Sequence, residues 1–291
     1  MDTRIPAWAR KKYNIGDLAK VKAQLRGLGL HTVCESARCP NIGECFKKPT
    51  ATFMILGDVC TRRCGFCSVG KGAPKPVDAA EPENIAKAAR LLKLRHVVIT
   101  SVTRDDLLDG GAGQFARVIR ALRGESPVPV IEVLTPDFGG SFDSLGVVVE
   151  AGPDIFNHNL ETVPRLYKKV RPQAVYARSL AVLKEAKGIA ARTGQRMHTK
   201  SGIMVGLGET EDEVLSVMSD IRAAGCDLLT VGQYLRPMKE NLEVVEYVTP
   251  DTFDMYRDKG LELGFLSVAS APFVRSSYNA EEVYSNWREN V

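Results

Sequence analysis

Strand-like and helix-like segments alternate along this chain from residue 51 onward, and this alternation restricts the possible folds more than any other feature. Apolar and β-branched runs predict strands at 51–56, 95–101, 128–134, 155–160, 198–205 and 227–234. Helical periodicity predicts helices between and after them, at 82–93, 115–122, 141–151, 177–192, 214–221 and 252–263. Six strands that alternate with helices indicate an α/β fold with a parallel sheet and right-handed crossovers.

An open doubly wound sheet and a partial barrel both satisfy this order of elements. The first predicted strand is not followed by the glycine pattern G-x-G-x-x-G, which argues against a dinucleotide-binding sheet. In both architectures functional residues gather at the carboxyl ends of the strands. The search for a site therefore starts at those ends.

Composition places the chain among globular proteins, with 291 residues, 44% of them hydrophobic and 25% charged. It has neither an 18-residue apolar run nor a secretion signal, so a cytoplasmic protein is expected. Residues 1–50 hold 10 Lys and Arg against 4 Asp and Glu, which suits either an acidic partner or a solvated arm. No aromatic-interleaved basic motif accompanies this excess, which disfavours nucleic-acid binding.

The placement of the cysteines gives the strongest chemical signal. Six of the seven fall within residues 34–67, namely Cys34, Cys39, Cys45, Cys60, Cys64 and Cys67. Thiols stay reduced in the cytoplasm, so this crowding indicates metal ligands rather than disulfides. The seventh, Cys226, precedes an apolar strand and is interpreted as a buried small hydrophobic residue.

The two cysteine groups differ in spacing from structural zinc sites. The first group reads C-x4-C-x5-C, and the second, directly after the first predicted strand, reads C-x3-C-x2-C. Zinc sites usually close with four ligands, whereas iron–sulfur clusters are held by thiolates. A 4Fe–4S cluster with three thiolate ligands keeps one iron open for a substrate or cofactor. A zinc site completed by His31 or by a more distant histidine is the alternative.

Polar residues lie at the second, fourth, fifth and sixth predicted strands, in addition to the second cysteine group after the first. They include 100–106, 157–161, 200, 202–209 and 232–236. Strand alternation predicts that Asn157, Asn159 and Glu161 share one face. A single polar strand end is ordinary, but four of them beside a three-thiol loop indicate a site.

Two resemblances rest on these motifs. The C-x3-C-x2-C motif, with Phe66 before its last cysteine and after the first strand of a βα series, resembles the radical S-adenosylmethionine (SAM) superfamily over residues 50–240. Nearly the whole chain resembles the lipoyl synthase family. That resemblance is carried by the N-terminal three-cysteine motif and by NHNLE at 157–161, VRP at 170–172, KSG at 200–202 and RSSY at 275–278.

The family resemblance implies a partial (β/α)6 TIM-like barrel over residues 51–245. An N-terminal extension, residues 1–50, would carry the auxiliary-cluster cysteines, and a C-terminal extension, residues 246–291, would carry RSSY; both would close the barrel mouth. It also implies an enzyme, a sulfurtransferase, that inserts sulfur at C6 and C8 of a protein-bound octanoyl group to form the lipoyl cofactor.

Two 4Fe–4S clusters and SAM are the cofactors that the resemblance implies. The first cluster would be held by Cys60, Cys64 and Cys67. Its open iron would take SAM, and its electron would cleave SAM to a 5′-deoxyadenosyl radical that removes hydrogen from the octanoyl chain.

The auxiliary cluster would be sacrificed as the sulfur donor. By resemblance it would be held by Cys34, Cys39 and Cys45, with an oxygen ligand from Ser277. Arg275 either supplies charge-assisted hydrogen bonds near this cluster or lies on the surface.

Candidate SAM contacts also come from the resemblance. Phe66 would shield the first cluster and touch adenine, Thr100 and Ser101 would face the methionyl end, and Asn159 and Glu161 would face the ribose. The remaining candidates lie on the fifth predicted strand and its extension. There Lys200 would pair with the SAM carboxylate or form a surface salt bridge, and Gly202 and Gly206 would let the backbone approach adenine.

The implied partners are octanoylated lipoyl-carrier domains, of a 2-oxoacid dehydrogenase E2 or the glycine cleavage H protein, and an electron donor such as flavodoxin or ferredoxin. Neither a membrane nor a nucleic acid is expected. Three alternatives stay open: another radical SAM sulfur-inserting enzyme, biotin-synthase-like or methylthio-transferring; an iron–sulfur scaffold or redox sensor; and a zinc-binding nucleic-acid protein. Residues 236–243 depart from the family, which carries a serine after its proline and a pair of histidines, so contacts made by this loop are expected to differ.

Overall fold

An eight-stranded sheet lies at the centre of the fold. The computed structural model describes residues 6, 8, 25–36, 39, 41 and 49–277, with only the backbone of Cys34. In chain order the strands are β1 (His31–Thr32), β2 (Thr50–Ile55), β3 (Val59–Cys60), β4 (Gly70–Lys71), β5 (His96–Ser101), β6 (Val130–Leu134), β7 (Ile155–Asn157), β8 (His198–Val205), β9 (Leu228–Gln233) and β10 (Ser267–Ala271). The main sheet has the order β1-β2-β5-β6-β7-β8-β9-β10, and β3 pairs with β4 apart from it.

The helices lie between the parallel strands, as the sequence predicted. They are α1 (Val33–Ser36), α2 (Glu81–Leu91), α3 (Ala112–Arg123), α4 (Phe142–Glu150), α5 (Tyr167–Val170), α6 (Tyr176–Thr193), α7 (Glu211–Ala223) and α8 (Pro250–Glu262). All six predicted helices are present. At the start of α7, Thr210 and Glu213 form a capping box, in which each side chain binds the other residue's backbone N–H.

The parallel α/β fold predicted from the sequence is confirmed, and all six predicted strands are present. A seventh parallel strand, β10, was not predicted; it pairs with β9 in register from Ser267 opposite Leu228. Its sequence SVASA has one β-branched residue, so its strand character comes from pairing with β9 rather than from local preference. Strand β1 adds an antiparallel edge beside β2.

Strand β7 is shorter than the predicted 155–160 and ends at Asn157. Beyond Asn157 the Arg171 guanidinium binds two backbone carbonyls. Its Nη1 donates to Asn159 O at 2.9 Å and to Leu160 O at 3.0 Å. The chain after β7 stays beside β8 with irregular pairing, and Glu161 forms a single parallel bridge with Ile203.

The hydrophobic core lies between the sheet and its helices. Alternate residues of the strands, such as Phe53, Ile99 and Val133, join a buried cluster with α2, α3 and α4. A second cluster joins β8 and β9 to α7 and α8. Cys226 is fully buried in it and donates to Leu228 O at 3.4 Å, which confirms its interpretation as a core residue.

The other face of the sheet curves around an interior that holds many polar residues, which is the arrangement of a partial barrel. The described edge strands β1 and β10 do not pair, so the sheet is open. The boundaries at 50 and 245, and the closing of the mouth by the two extensions, stay predictions. No described helix combines the length and apolarity needed to span a bilayer.

Candidate functional site

A cavity of about 530 Å³ opens where the parallel strands end. Six strands or the residues just after them contribute to its wall: Met54, Ser101, Leu134, Asn159, Met204 and Gln233. The segment after β10 adds Val274 and residues 275–277. The polar strand ends predicted to form a site therefore meet around one space.

The cysteine loop between β2 and β4 forms one side of this cavity, which Cys60, Cys64 and Cys67 all line. Cys60 Sγ accepts backbone N–H groups from Arg62 at 3.4 Å and Thr103 at 3.3 Å. Hydrogen bonds of this kind stabilise the thiolate form that a metal needs.

The thiols fit an iron–sulfur cluster better than a single ion. Burial raises the pKa of Cys67 to about 11 and also raises the pKa of Cys64, so both keep their protons until a cationic group displaces them. Among the described residues, no three Cys, His, Asp or Glu side chains are grouped closely enough to hold one metal ion. In an iron–sulfur cluster each thiolate binds a different iron, so the thiols need to line one cavity but need not converge on one point.

Arg62 ties the cysteine loop to two neighbouring strand ends. Its Nε and Nη2 donate to Asp105 at 2.8 and 2.7 Å, and Nη2 also donates to Asp137 at 2.7 Å. Burial would raise the pKa of Asp137, but the hydrogen bond and charge of Arg62 outweigh it and hold that pKa at about 2. The loop is thus fixed by an ion-pair network in which Arg62 and Asp137 are buried and Asp105 is exposed.

Asn159 and Glu161 line the cavity as a pair, with Asn159 Nδ2 donating to Glu161 Oε1 at 3.1 Å. The buried Asn159 Oδ1 has no hydrogen-bond partner, and Glu161 has a left-handed φ of 68°, which is unfavourable for a non-glycine residue. Burial raises the pKa of Glu161 despite the opposing charge of Arg171. Unpaired polar atoms and strain at one place indicate a ligand site.

Arg171 is a cavity residue to which the sequence analysis gave no role. It is 9% exposed, and its Nη1 holds the carbonyls after β7, but its buried Nε has no partner. A buried guanidinium with a donor to spare is suited to an anionic group of a ligand. The VRP motif at 170–172 was the sequence signal that could have identified this residue. The sequence does not show that Arg171 lies beside Glu161, because only the folded chain brings the two together.

His158 lines the cavity as a neutral positioning group. Its ring nitrogens lie 2.9 Å from Thr135 O and 3.1 Å from Ser179 Oγ. Burial and the charge of Arg171 lower its pKa to about 4, so the ring is uncharged near neutral pH.

Most of the other predicted SAM-contact residues lie at this cavity. Phe66 lines it and also packs against the second core cluster. Thr100 donates to Leu134 O at 3.0 Å, whereas the buried Ser101 hydroxyl has no partner. At Gly202, an added Cβ would lie 2.9 Å from Asn159 Oδ1, so the absence of a side chain keeps this wall open.

Two predicted contacts are not brought to the cavity. Gly206 has a φ of 103° and packs on Gln233, while its N–H donates to Glu209. Lys200 is 2% exposed, and its Nζ lies 2.9 Å from Glu132 Oε1. Lys200 thus forms a salt bridge, but a buried one and not the surface salt bridge expected as an alternative, because the barrel interior offers a buried carboxylate partner.

Lys200 belongs to a polar group that we call the floor, made of His96, Glu132, Asn157 and Lys200. Glu132 is fully buried and is contacted by all three others: Lys200 at 2.9 Å, Asn157 Nδ2 at 3.2 Å and His96 Nε2 at 3.3 Å. Burial would raise the pKa of Glu132, but the Lys200 charge and the His96 hydrogen bond outweigh it and hold that pKa at about 2. Asn157 Oδ1 lacks a partner. Glu132 was not among the predicted residues, because its partners are distant in sequence.

The predicted auxiliary side meets the same cavity. Cys39, Arg275 and Ser277 line it. Asn41 joins the two chain ends, since its N–H donates to Cys39 Sγ at 3.4 Å and its Nδ2 donates to Phe273 O at 2.7 Å, 232 residues away. Arg275 Nη1 donates to Val274 O at 2.6 Å. The Cys34 side chain, Cys45 and Tyr278 lie outside the described residues.

Comparisons with known proteins agree with this geometry. The radical SAM superfamily model matches residues 54–221, and a model of the N-terminal domain of lipoyl synthase of the radical SAM family matches residues 1–39. The lipoyl synthase of Caldanaerobacter subterraneus subsp. tengcongensis is 55% identical over 97% of this chain and 97% of its own length. The chain belongs to the lipoyl synthase family. The lipoyl synthase of Burkholderia pseudomallei is 56% identical over 95% of this chain and 84% of that protein.

A solved structure supports the fold independently. Methylornithine synthase (PylB) superposes with a TM-score of 0.55 at 12% identity, covering 96% of this chain and 89% of that one. Lipoyl synthases are radical SAM enzymes that transfer sulfur and use SAM with two iron–sulfur clusters. Family membership therefore excludes the zinc, scaffold and non-lipoyl alternatives left open by the residues.

Proposed function

We propose that the cavity is the place where this lipoyl synthase inserts sulfur at C6 and C8 of a carrier-bound octanoyl group. One observation carries the proposal: Cys39 and Ser277 line the same cavity as the cysteine loop of Cys60, Cys64 and Cys67. Ligands for two clusters around one space would let a single acyl chain reach both.

Bound there, SAM and the two clusters would supply one-electron chemistry and the inserted sulfur atoms. The protein cannot replace them with a general base, because the C–H bonds at C6 and C8 are not acidic. The side chains around the cavity would therefore bind, orient and exclude water rather than exchange protons with the substrate.

The polar wall is suited to SAM. Arg171 has an unpaired Nε for the carboxylate of SAM, and Asn159 with Glu161 offers acceptors and donors for ribose hydroxyls. Ser101 has a free hydroxyl for the methionyl end. Phe66 supplies an apolar face beside Cys67 for adenine.

The apolar part of the lining is suited to a saturated chain. It is apolar, with Met54, Val102, Leu134, Pro136 and Val274 lining the cavity. Apolar side chains would hold the octanoyl group by excluding water and would keep its reacting carbons away from competing solvent.

The auxiliary cluster would be held by Cys34, Cys39 and Cys45 with Ser277. A serine oxygen is a harder ligand than a thiolate and suits iron–sulfur bonding less well, so its iron would leave more easily when sulfur is withdrawn. Ser277→Cys should therefore keep a full complement of iron and sulfide but lose product formation. Normal lipoyl formation by that variant would contradict the role of Ser277.

The partners we infer are octanoylated carrier domains, from a 2-oxoacid dehydrogenase E2 or the glycine cleavage H protein, and a protein electron donor such as flavodoxin or ferredoxin. We place the reaction in the cytoplasm. A long lysine-linked acyl chain reaches a cavity at strand ends more readily than a bulky rigid substrate would.

The decisive experiment is anaerobic iron and sulfide counting on three variants, with SAM cleavage and dithiolation of an octanoylated lipoyl domain measured by mass spectrometry. The Cys34/Cys39/Cys45→Ala variant should keep one cluster and SAM cleavage but form no lipoyl product. The Cys60/Cys64/Cys67→Ala variant should keep the other cluster and lose both reactions. Cys226→Ala is the matched control and should keep both clusters; a single cluster in wild-type protein would refute the proposal.

A further inference from the structure

The segment that departs from the family pattern, residues 236–243, lies against the cysteine loop. Leu242 N donates to Gly65 O at 3.0 Å. Asn241 Nδ2 donates to two carbonyls of the loop, Gly65 O and Cys67 O, each at 3.1 Å. A segment distant in sequence thus binds the backbone on both sides of Phe66 and at a predicted cluster ligand.

The orientation of the Asn241 amide is fixed by its surroundings. The residue is 5% exposed, and its buried Oδ1 has no hydrogen-bond partner. A flipped amide would place this oxygen against two carbonyl oxygens and would leave both carbonyls without a donor. The side chain therefore acts as a double donor, a task that neither a carboxylate nor an aliphatic side chain can perform.

The cysteine loop is also held from its other side. Gly65 N donates to Val170 O at 2.9 Å. A Cβ at Gly65 would lie 2.9 Å from the Leu242 side chain and 3.2 Å from Lys169 O, so the loop passes between two segments with no space for a side chain. The loop is therefore held between the 236–243 segment and the segment of Lys169 and Val170. Loss of the contacts on one side would leave the loop free to move toward that side.

The segment that carries Asn241 is itself anchored. The Tyr234 hydroxyl donates to Leu242 O at 2.7 Å, and the Arg236 guanidinium donates to Met238 O at 3.2 Å and to Lys239 O. Tyr234 and Arg236 also line the cavity. The segment therefore connects two residues that line the cavity, Tyr234 and Arg236, to the cysteine loop.

We propose that Asn241 is a positioning residue for the SAM cluster. By holding the carbonyls of Gly65 and Cys67 it fixes the peptide planes around Phe66, and so directs the Cys67 thiol and the Phe66 ring into the cavity. The inference rests on the proposed function, in which Cys60, Cys64 and Cys67 hold that cluster. In this chain an amide with two N–H donors performs this task.

The test compares Asn241→Asp with Glu240→Gln, an exposed change in the same turn. Asn241→Asp keeps the side-chain size but sets a carboxylate against two carbonyl oxygens. In the full chain without clusters, hydrogen exchange of the peptides spanning 60–67 and Leu242 should rise about 10-fold or more, since the variant loses two hydrogen bonds and leaves both carbonyls without a donor. Asn241→His, with one N–H to offer, should give an intermediate rise, and Asn241→Ala serves if the Asp variant does not fold.

The same variants are then loaded with iron and sulfide anaerobically. Asn241→Asp should release iron from one cluster to a chelator about 10-fold faster or more, and should alter the electron paramagnetic resonance change that SAM causes, while Glu240→Gln behaves as wild type. Equal exchange in the Asp and Gln variants would overturn the proposal, and so would faster exchange with unchanged iron release. Wild-type protein that binds no iron at Cys60–Cys67 would instead refute the proposed function, while the exchange comparison would still test the contact itself.

Discussion

The floor and the cavity wall above it both place buried polar residues inside the same barrel, yet they differ in how those residues are paired. In the floor, Lys200, His96 and Asn157 all turn to Glu132 at 2.9–3.3 Å. Asn157 Oδ1 in the floor also lacks a partner, but Asn157 does not line the cavity. In the wall, which we call the mouth and define as Ser101, Thr135, Asn159 and Arg171, each residue lines the cavity and has a buried polar atom without a partner. Buried polar groups are almost always paired, so unpaired atoms in a cavity mark a place for a ligand.

Burial and charge alone therefore do not identify a ligand-binding residue. Lys200 and Arg171 are both buried cations, at 2% and 9% exposure. Lys200 is neutralised by a protein carboxylate, whereas Arg171 keeps a free donor in the cavity. Floor residues should therefore affect stability, and mouth residues should affect SAM binding.

Lys200→Met should give the largest effect, because it leaves the Glu132 carboxylate buried without its counter-charge. We expect a loss of ~3–5 kcal/mol in the free energy of unfolding, measured by anaerobic urea denaturation. The double variant Glu132→Gln/Lys200→Met removes both charges and should regain most of that loss. Equal destabilisation in the single and double variants would show that the ion pair does not dominate the floor.

Arg171→Met should weaken SAM binding about 10-fold to 100-fold, since a hydrogen bond to a charged group is worth ~1.5–3 kcal/mol. Equilibrium binding of SAM to the cluster-loaded enzyme measures this, and Arg171→Lys should keep part of the affinity. The distinction between floor and mouth would be wrong if Arg171→Met bound SAM normally but lost as much free energy of unfolding as Lys200→Met.

Gly202→Ala should narrow the mouth, because its Cβ would lie 2.5 Å from Thr230 Oγ1 and 2.9 Å from Asn159 Oδ1. Overpacking of this kind costs ~1–3 kcal/mol, and here we expect it mainly as weaker SAM binding. Gly146→Ala on helix α4 is the control, since its Cβ would meet nothing closer than Glu150 Oε1 at 4.0 Å. Unchanged SAM affinity in Gly202→Ala would place the ligand elsewhere.

Acid should weaken the floor by a smaller and gradual effect. The pKa of Glu132 is depressed from 4.5 to about 2 in the folded protein, so its contribution to stability is complete above pH 4.5 and is lost as the pH falls toward 2. Denaturation midpoints measured across this interval should fall more steeply in wild type than in Glu132→Gln/Lys200→Met. Parallel pH profiles would show that Glu132 does not carry this dependence.

Local periodicity was sufficient to predict the six parallel strands and the six main helices, because each depends on residues close in sequence. It missed β10, whose SVASA sequence becomes a strand only beside β9. It also extended β7 beyond Asn157, since no local signal shows that Arg171 captures the next carbonyls. These differences arise where a contact between distant segments overrides local preference.

The cysteine spacings and the family motifs predicted a radical SAM enzyme, because ligand type and spacing are properties of the sequence, and the comparisons confirm that family. Only the tertiary structure decided which polar residues face the ligand space. Lys200 binds the Glu132 carboxylate, 68 residues away, and Asn241 binds the cysteine loop at Cys67, 174 residues away. Arg171 retains a buried Nε donor without a partner. A side chain's role depends on the partners it meets, and chain folding alone brings those partners within hydrogen-bond distance.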